Sequence, residues 1–193
     1  MRKIPEKVKN AIKYRIYFIF PAIFYMSFSF CQVERFTISD TIMVKRTKTR
    51  ILYKNAGKWF NSDPYIKIIN SDKKTGVLNG RGFTVYENKV IVENVFVSRY
   101  AAEKTKGNIY FTIDIKVMND SVYFIRFTNF KHKAYPLGYG ETSLGFLTTY
   151  GSPPPWDCQE DEEWCTAVWN DMKRICREAI EIKLVKLRNI NYN

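Results

Sequence analysis

From Ile109 to Val117 the chain reads I-Y-F-T-I-D-I-K-V, apolar and polar in alternation, and Ser121 to Phe130, S-V-Y-F-I-R-F-T-N-F, alternates again after Met118-Asn119-Asp120. A period of two puts successive side chains on opposite sides of a strand, so the two runs predict a β-hairpin turning at 118–120. Ile109, Phe111, Ile113, Ile115 and Val117 share one side, with Tyr110, Thr112, Asp114 and Lys116 on the other. One side is core and the other is wet, which is the habit of an antiparallel sheet.

Upstream, Val33 to Ser39, V-E-R-F-T-I-S, predicts a first strand. From Thr47 to Phe60 the spacing changes: Ile51, Leu52, Ala56, Trp59 and Phe60 recur at helical intervals, with Trp59 and Phe60 assigned to the core. Asp63-Pro64 closes that helix, because proline pushes the preceding residue out of helical geometry. Strands at Tyr65–Ile69 and Val77–Val85 then enclose S-D-K-K-T-G-V-L-N-G-R-G, Ser71 to Gly82. A phosphate-cradling loop needs a helix start after its glycines, and here a strand follows. Gly76 therefore reads as a turn position with positive φ, and Gly80 and Gly82 as a bulge or a close approach by another element.

Residues 87–108, with Val90-Ile91-Val92 and Val95-Phe96-Val97, read as an added hairpin or insertion. Residues 136–156, with Pro136, Gly138, Gly140, Gly145, Gly151 and Pro153-Pro154-Pro155, read as a loop. Asp157 with Glu160 resembles a capping box opening a helix over 157–190. Its stripe would be Cys165, Val168, Met172, Ile175, Cys176, Ala179 and Ile182, laid on the apolar face of the sheet, with Lys183, Lys186 and Arg188 near the negative end of its dipole. The fold class expected is α+β, a β-α-β-β-β-β-α order with helices on one face of an antiparallel sheet over 32–135.

Charge sharpens the picture at the N-terminus. Residues 1–31 carry six basic side chains against Glu6, leaving +7 of the formal +12 on the rest. A basic stretch to Arg15 precedes fifteen uncharged residues, Ile16 to Phe30, interrupted by Pro21. A membrane span needs roughly 20 apolar residues, so this reads as an export signal, with an uncleaved anchor as the alternative. Ser27 and Ser29 place cleavage near Cys31–Gln32, and lipidation of Cys31 is disfavoured by the bulky Phe30 before it. Export to an oxidising compartment leaves Cys158, Cys165 and Cys176; a Cys158–Cys165 bridge would close a short loop and leave Cys176 as a buried thiol.

The run Asp72-Lys73-Lys74-Thr75-Gly76-Val77-Leu78-Asn79-Gly80-Arg81-Gly82, the Ala56-x-x-Trp59-Phe60 helix, Tyr110 to Ile115 and Arg126-Phe127-Thr128-Asn129-Phe130 together resemble the family of unknown function DUF4468 over about residues 40–135. The resemblance implies a TATA-binding-protein-like fold and exported proteins of Bacteroidetes-type bacteria, and it implies no catalytic residues.

The chemistry in the sequence is sparse. His132, between Lys131 and Lys133, reads as a surface histidine at a strand end, and no orienting partner for a general base accompanies it. One histidine and no C-x-x-C pair argue against zinc, and Asp157 to Glu163 lacks the ligand spacing and glycine of an EF-hand loop. No catalytic residue, cofactor or metal is assigned. The expected role is a non-catalytic binding or structural module of the cell envelope, with an envelope hydrolase as the alternative and nucleic acid disfavoured by export. The partner expected is an envelope protein or an anionic surface, with membrane attachment only through the N-terminus. Tyr135, Tyr139, Phe146, Tyr150 and Trp156, with the wet sheet face, are the candidate contact surface.

Overall fold

The computed structural model describes residues 34–45, 47–93, 100–118, 121–137 and 140–191. The signal reading of 1–31, Val95-Phe96-Val97, the Asn119-Asp120 turn and Tyr139 lie outside the described residues. The compact unit is Glu34–Asn193. In chain order its elements are β1 (Ile38–Met43), α1 (Thr49–Ser62), β2 (Ile66–Asp72), β3 (Val77–Tyr86), α2 (Ala101–Lys104), β4 (Gly107–Val117), β5 (Val122–Ala134), β6 (Gly145–Phe146) and α3 (Glu162–Ile190).

The fold is α+β. Six antiparallel strands form one sheet in the order β1-β5-β4-β3-β2, with β6 paired to β5. The alternation of β4 carries straight into burial: Ile109, Phe111, Ile113, Ile115 and Val117 are all buried, as are Tyr123, Ile125 and Phe127 on β5. Relative to the expected order, the structure adds the short α2 and the two-residue β6. The first strand lies later than Val33–Ser39, because Arg35 and Phe36 pair with Thr148 and Leu147 instead of β5.

Both long helices pack on the same side of the sheet. On α1, Leu52, Ala56, Trp59 and Phe60 are buried, and the helix ends at an extended Asp63 before Pro64. Gly80 lies under Phe60: a Cβ there would sit 2.3 Å from the Phe60 ring and 2.8 Å from the Lys67 carbonyl oxygen. A Cβ on Gly82 would sit 2.7 Å from both Ile66 and Phe111. Of the two sequence readings for these glycines, close approach holds; the bulge is across the ladder, at Ile69 between Ile68 and Asn70.

Gly76 has φ +70° and its carbonyl oxygen accepts from the Val117 N–H at 2.9 Å, tying the β2–β3 turn to the end of β4. A side chain there meets both unfavourable φ and the Val117 carbonyl oxygen, 3.1 Å from the would-be Cβ. Gly76→Val is expected to cost about 1–3 kcal/mol, read as a lower melting temperature with Gly76→Asn falling less; unchanged melting would contradict the turn geometry.

The C-terminal helix starts later than expected. Its cap is Asp161, whose Oδ1 accepts from the N–H groups of Glu163 and Trp164 at 2.8 and 3.3 Å. The reason is covalent: Cys158 and Cys165 are disulfide-bonded with Cα atoms 6.1 Å apart, whereas seven residues of continuous helix would separate them by about 10.5 Å. Cys176 is a free, buried cysteine whose thiol is pushed up in pKa by burial. Of the expected stripe, Cys165, Val168, Met172 and Cys176 are buried. The buried face also takes in Trp164, Trp169, Ile180, Leu184 and Leu187 with Lys173 and Lys183, while Ile182 is 60% exposed. No described helix is long and apolar enough to cross a membrane.

Candidate functional site

His132 corrects the surface reading. It is fully buried; the Leu144 N–H donates to its Nδ1 at 3.0 Å, so Nε2 carries the proton and donates to the Thr105 carbonyl oxygen at 3.0 Å. The cause is the segment thought to be loop: Leu144 and Leu147 are buried, β6 pairs with Lys131 and His132, and the end of the 87–108 segment closes from the other side. Asn88 joins this seal by donating to Thr105 Oγ1 at 2.7 Å. With both ring nitrogens bonded to backbone, His132 cannot serve the Cys–His pair considered above.

Burial lowers the His132 pKa to about 4, against its bond to Thr105. The unfolded chain, with histidine near 6.5, therefore binds more protons between those values, and stability rises with pH across that window. At most about 3 kcal/mol present above pH 6.5 is lost as pH falls toward 4. Urea unfolding between pH 7 and 4.5 should show this slope in the native chain and a shallower one in His132→Gln; identical slopes would contradict it.

Among the described residues no three His, Cys, Asp or Glu side chains converge as metal ligands. The candidate contact aromatics do not form one patch. Trp156, 78% exposed, lines a cleft with Lys104, Glu141 and Asp157, and Tyr150 offers its carbonyl oxygen to Trp169 Nε1 and Lys173 Nζ on α3. Phe146 and Tyr135 belong elsewhere, on the side of the sheet away from the helices.

That side is where chemistry collects. Among the described residues no helix covers it. Tyr65, just before β2, packs edge-on to Phe83 of β3 at 5.3 Å, and Phe83 contacts Tyr110 of β4 at 5.9 Å. The row continues through the register to Lys131 of β5 and Phe146 of β6. Lys131 Nζ lies 5.0 Å from the Phe146 ring centre and the Arg35 guanidinium 4.4 Å from it. Lys67 and Arg81 are direct cross-strand partners one row away, and Tyr135 donates from its hydroxyl to Asn108 Oδ1 at 3.0 Å at the rim.

The middle of this face is held by polar side chains. Asn129 adopts φ 56°, a left-handed conformation that asparagine tolerates better than most residues. The register shifts opposite it, between Tyr110 and Thr112. Its amide donates to Thr112 Oγ1 at 3.1 Å, its Oδ1 accepts from Arg35, and Thr112 and Thr128 hydroxyls meet at 2.7 Å. The far end is closer to neutral, since Asp114 pairs with Arg126 at 3.4 Å and accepts from Asn79 at 2.7 Å. Sequence alternation gave the wet positions one strand at a time; the aromatic row appears only when the register aligns them.

No family model matches the chain, and no curated protein matches it. Solved structures similar to it include a DUF4468 family protein from Bacteroides ovatus ATCC 8483, 10% identical, with a TM-score of 0.46 over 79% of this chain and 86% of that one. The family read from the motifs is among the chain's structural neighbours. A TBP-like protein from Parabacteroides distasonis ATCC 8503 is similar at 11% identity and a TM-score of 0.41, over 78% of this chain and 93% of that one. At such identity the likeness transfers no site residue.

Proposed function

We propose that this chain is an exported, non-catalytic binding module of the bacterial cell envelope whose contact surface is the open sheet face, with Phe146 and Tyr135 at its edge. The observation that supports the reading is that row of aromatics and cations on the side opposite both long helices. Tyr65 lies at its edge, where its ring also meets Lys183 Nζ of α3 at 5.8 Å. Aromatic and arginine side chains are the types that concentrate binding energy at interfaces. Among the described residues, His132 is consumed by backbone hydrogen bonds and Cys158 and Cys165 by each other, and the free Cys176 is buried away from any surface site. The partner is an envelope protein or an anionic surface.

Fractionation of the native host with intact-mass measurement, before and after reduction, tests the location. A mature chain starting near Gln32 outside the cytoplasm, with a reducible bridge, is the expected result. An uncleaved cytoplasmic chain would overturn the envelope assignment. Deleting 136–156 is a poor probe of binding, because Leu144 and Leu147 are core residues; substitutions on the open face are the useful variants.

A further inference from the structure

Resting on that reading, we propose that the open sheet face holds a linear anionic polysaccharide, one bearing carboxylate or sulfate groups, laid across the strands along the Tyr65–Phe83–Tyr110–Lys131–Phe146 row. Three observations converge. The first is charge. The half of the face around this row carries Arg35, Lys67, Arg81, Lys131 and Lys133, and its outward register positions from Lys67 to Phe146 include no carboxylate. Among the described residues Lys67, Arg81 and Lys133 form no ion pair, so an anionic ligand meets cations without first displacing internal partners. The face is thus complementary to negative charge at one end and balanced at the other, where Asp114 and Arg126 pair.

The second is the shape of the aromatic row. Rings succeed each other at 5.3 and 5.9 Å, one ring-sized step per strand, but at interplanar angles of 85° and 45°. Bases that stay stacked on one another are best matched by parallel platforms, and these rings are not parallel. Successive sugar rings are turned about their glycosidic bonds, so differently tilted aromatic faces can each take one ring through its C–H side. Tyr110 is 43% exposed and available for this. The third is a supply of neutral hydrogen-bonding groups suited to hydroxyls, in two networks: Thr112, Thr128 and Asn129 in one, and Asn108 with the phenol groups of Tyr110 and Tyr135 in the other. These groups are already held by one another, which fixes their orientation before a ligand arrives.

The test uses the purified full chain and measures binding to polygalacturonate, dextran sulfate, neutral dextran and a single-stranded oligothymidylate. At least one of the two polyanionic polysaccharides is expected to bind, with affinity falling as salt is raised, and with dextran and the oligonucleotide roughly tenfold weaker or more. Tyr110→Ala and Lys131→Ala are each expected to weaken that binding roughly tenfold, while the remote surface variant Lys186→Ala keeps it. Melting curves guard against misfolding; if Tyr110→Ala melts early, Lys131→Ala alone decides. Tighter binding of the oligonucleotide, equal binding of dextran, or parental affinity in Lys131→Ala would each overturn the proposal. Absence of binding to both polyanions overturns it too, while cross-linking from the open face in the native host tests the binding-module reading separately.

Discussion

Lys183→Met is expected to destabilise the folded chain by about 3–5 kcal/mol, the usual cost of leaving one member of a buried ion pair alone. Lys183 Nζ donates to Asp63 Oδ2 at 2.6 Å, with both side chains almost wholly buried. The pair joins the end of α1 to the last turns of α3, and the other carboxylate oxygen of Asp63 accepts from the Tyr65 N–H at 2.9 Å. Burial alone would raise the pKa of Asp63, but the bond from Lys183, the Tyr65 N–H and the positive charges of Lys183 and Lys186 together hold it below the ordinary carboxylate value. Its contribution is therefore present above pH 4 or so and is lost as pH falls through the lower folded value. Without Lys183 the buried carboxylate prefers its neutral form, so the loss in Lys183→Met should be greatest at neutral pH and smaller in mild acid. The double variant Asp63→Asn/Lys183→Met keeps the acceptor for Tyr65 and removes both charges, and should recover much of the stability. Equal losses in the single and double variants, at every pH, would contradict a coupled pair.

Trp59→Ala is the second large effect, about 3–5 kcal/mol. The indole is fully buried, contacts Phe60 edge-on at 4.9 Å and donates from Nε1 to the Lys183 carbonyl oxygen at 2.9 Å. One side chain thus fills the layer between α1 and the sheet and satisfies a backbone acceptor on α3. Trp59→Phe should lose less, because it fills most of the volume and forfeits only the N–H bond. Chemical unfolding followed by circular dichroism separates the two. A loss under about 1 kcal/mol in Trp59→Ala would mean that the site collapses around the gap and that the layer is not as tightly packed as its burial implies.

The two effects show what the sequence could and could not tell. Trp59 and Phe60 were legible because both sit on the apolar stripe of a helix with a clear stop. Lys183 was not. Its phase on α3 is that of the core, one residue from Leu184, yet its charge makes it read as a surface partner for the helix dipole, and Ile182 was placed inside instead. Only Asp63, distant in sequence and brought close by tertiary packing, makes a buried lysine tolerable. His132 was misread for a related reason: lysines on both sides mark alternate outward positions of β5, and an alternating strand necessarily points the residue between them inward. The helix start was obscured by the disulfide, which takes Cys158 off the helical path.

The open face was partly legible in the same way. Tyr110, Thr112, Asp114 and Lys116 declare a wet side of β4 from spacing alone. That Phe83, Tyr110, Lys131 and Phe146 stand in one row depends on the register and on β6, a two-residue strand inside a proline- and glycine-rich stretch that carries no strand signal.

The central claim is that this row is the contact surface. A photo-cross-linking amino acid placed at position 110, on the open face, and separately at position 182, on the exposed side of α3, tests it most directly in the native host. Cross-links that form from position 110 and are absent from position 182 are the expected result. Cross-links from position 182 with none from position 110 would contradict it and move the search to the helical side of the molecule.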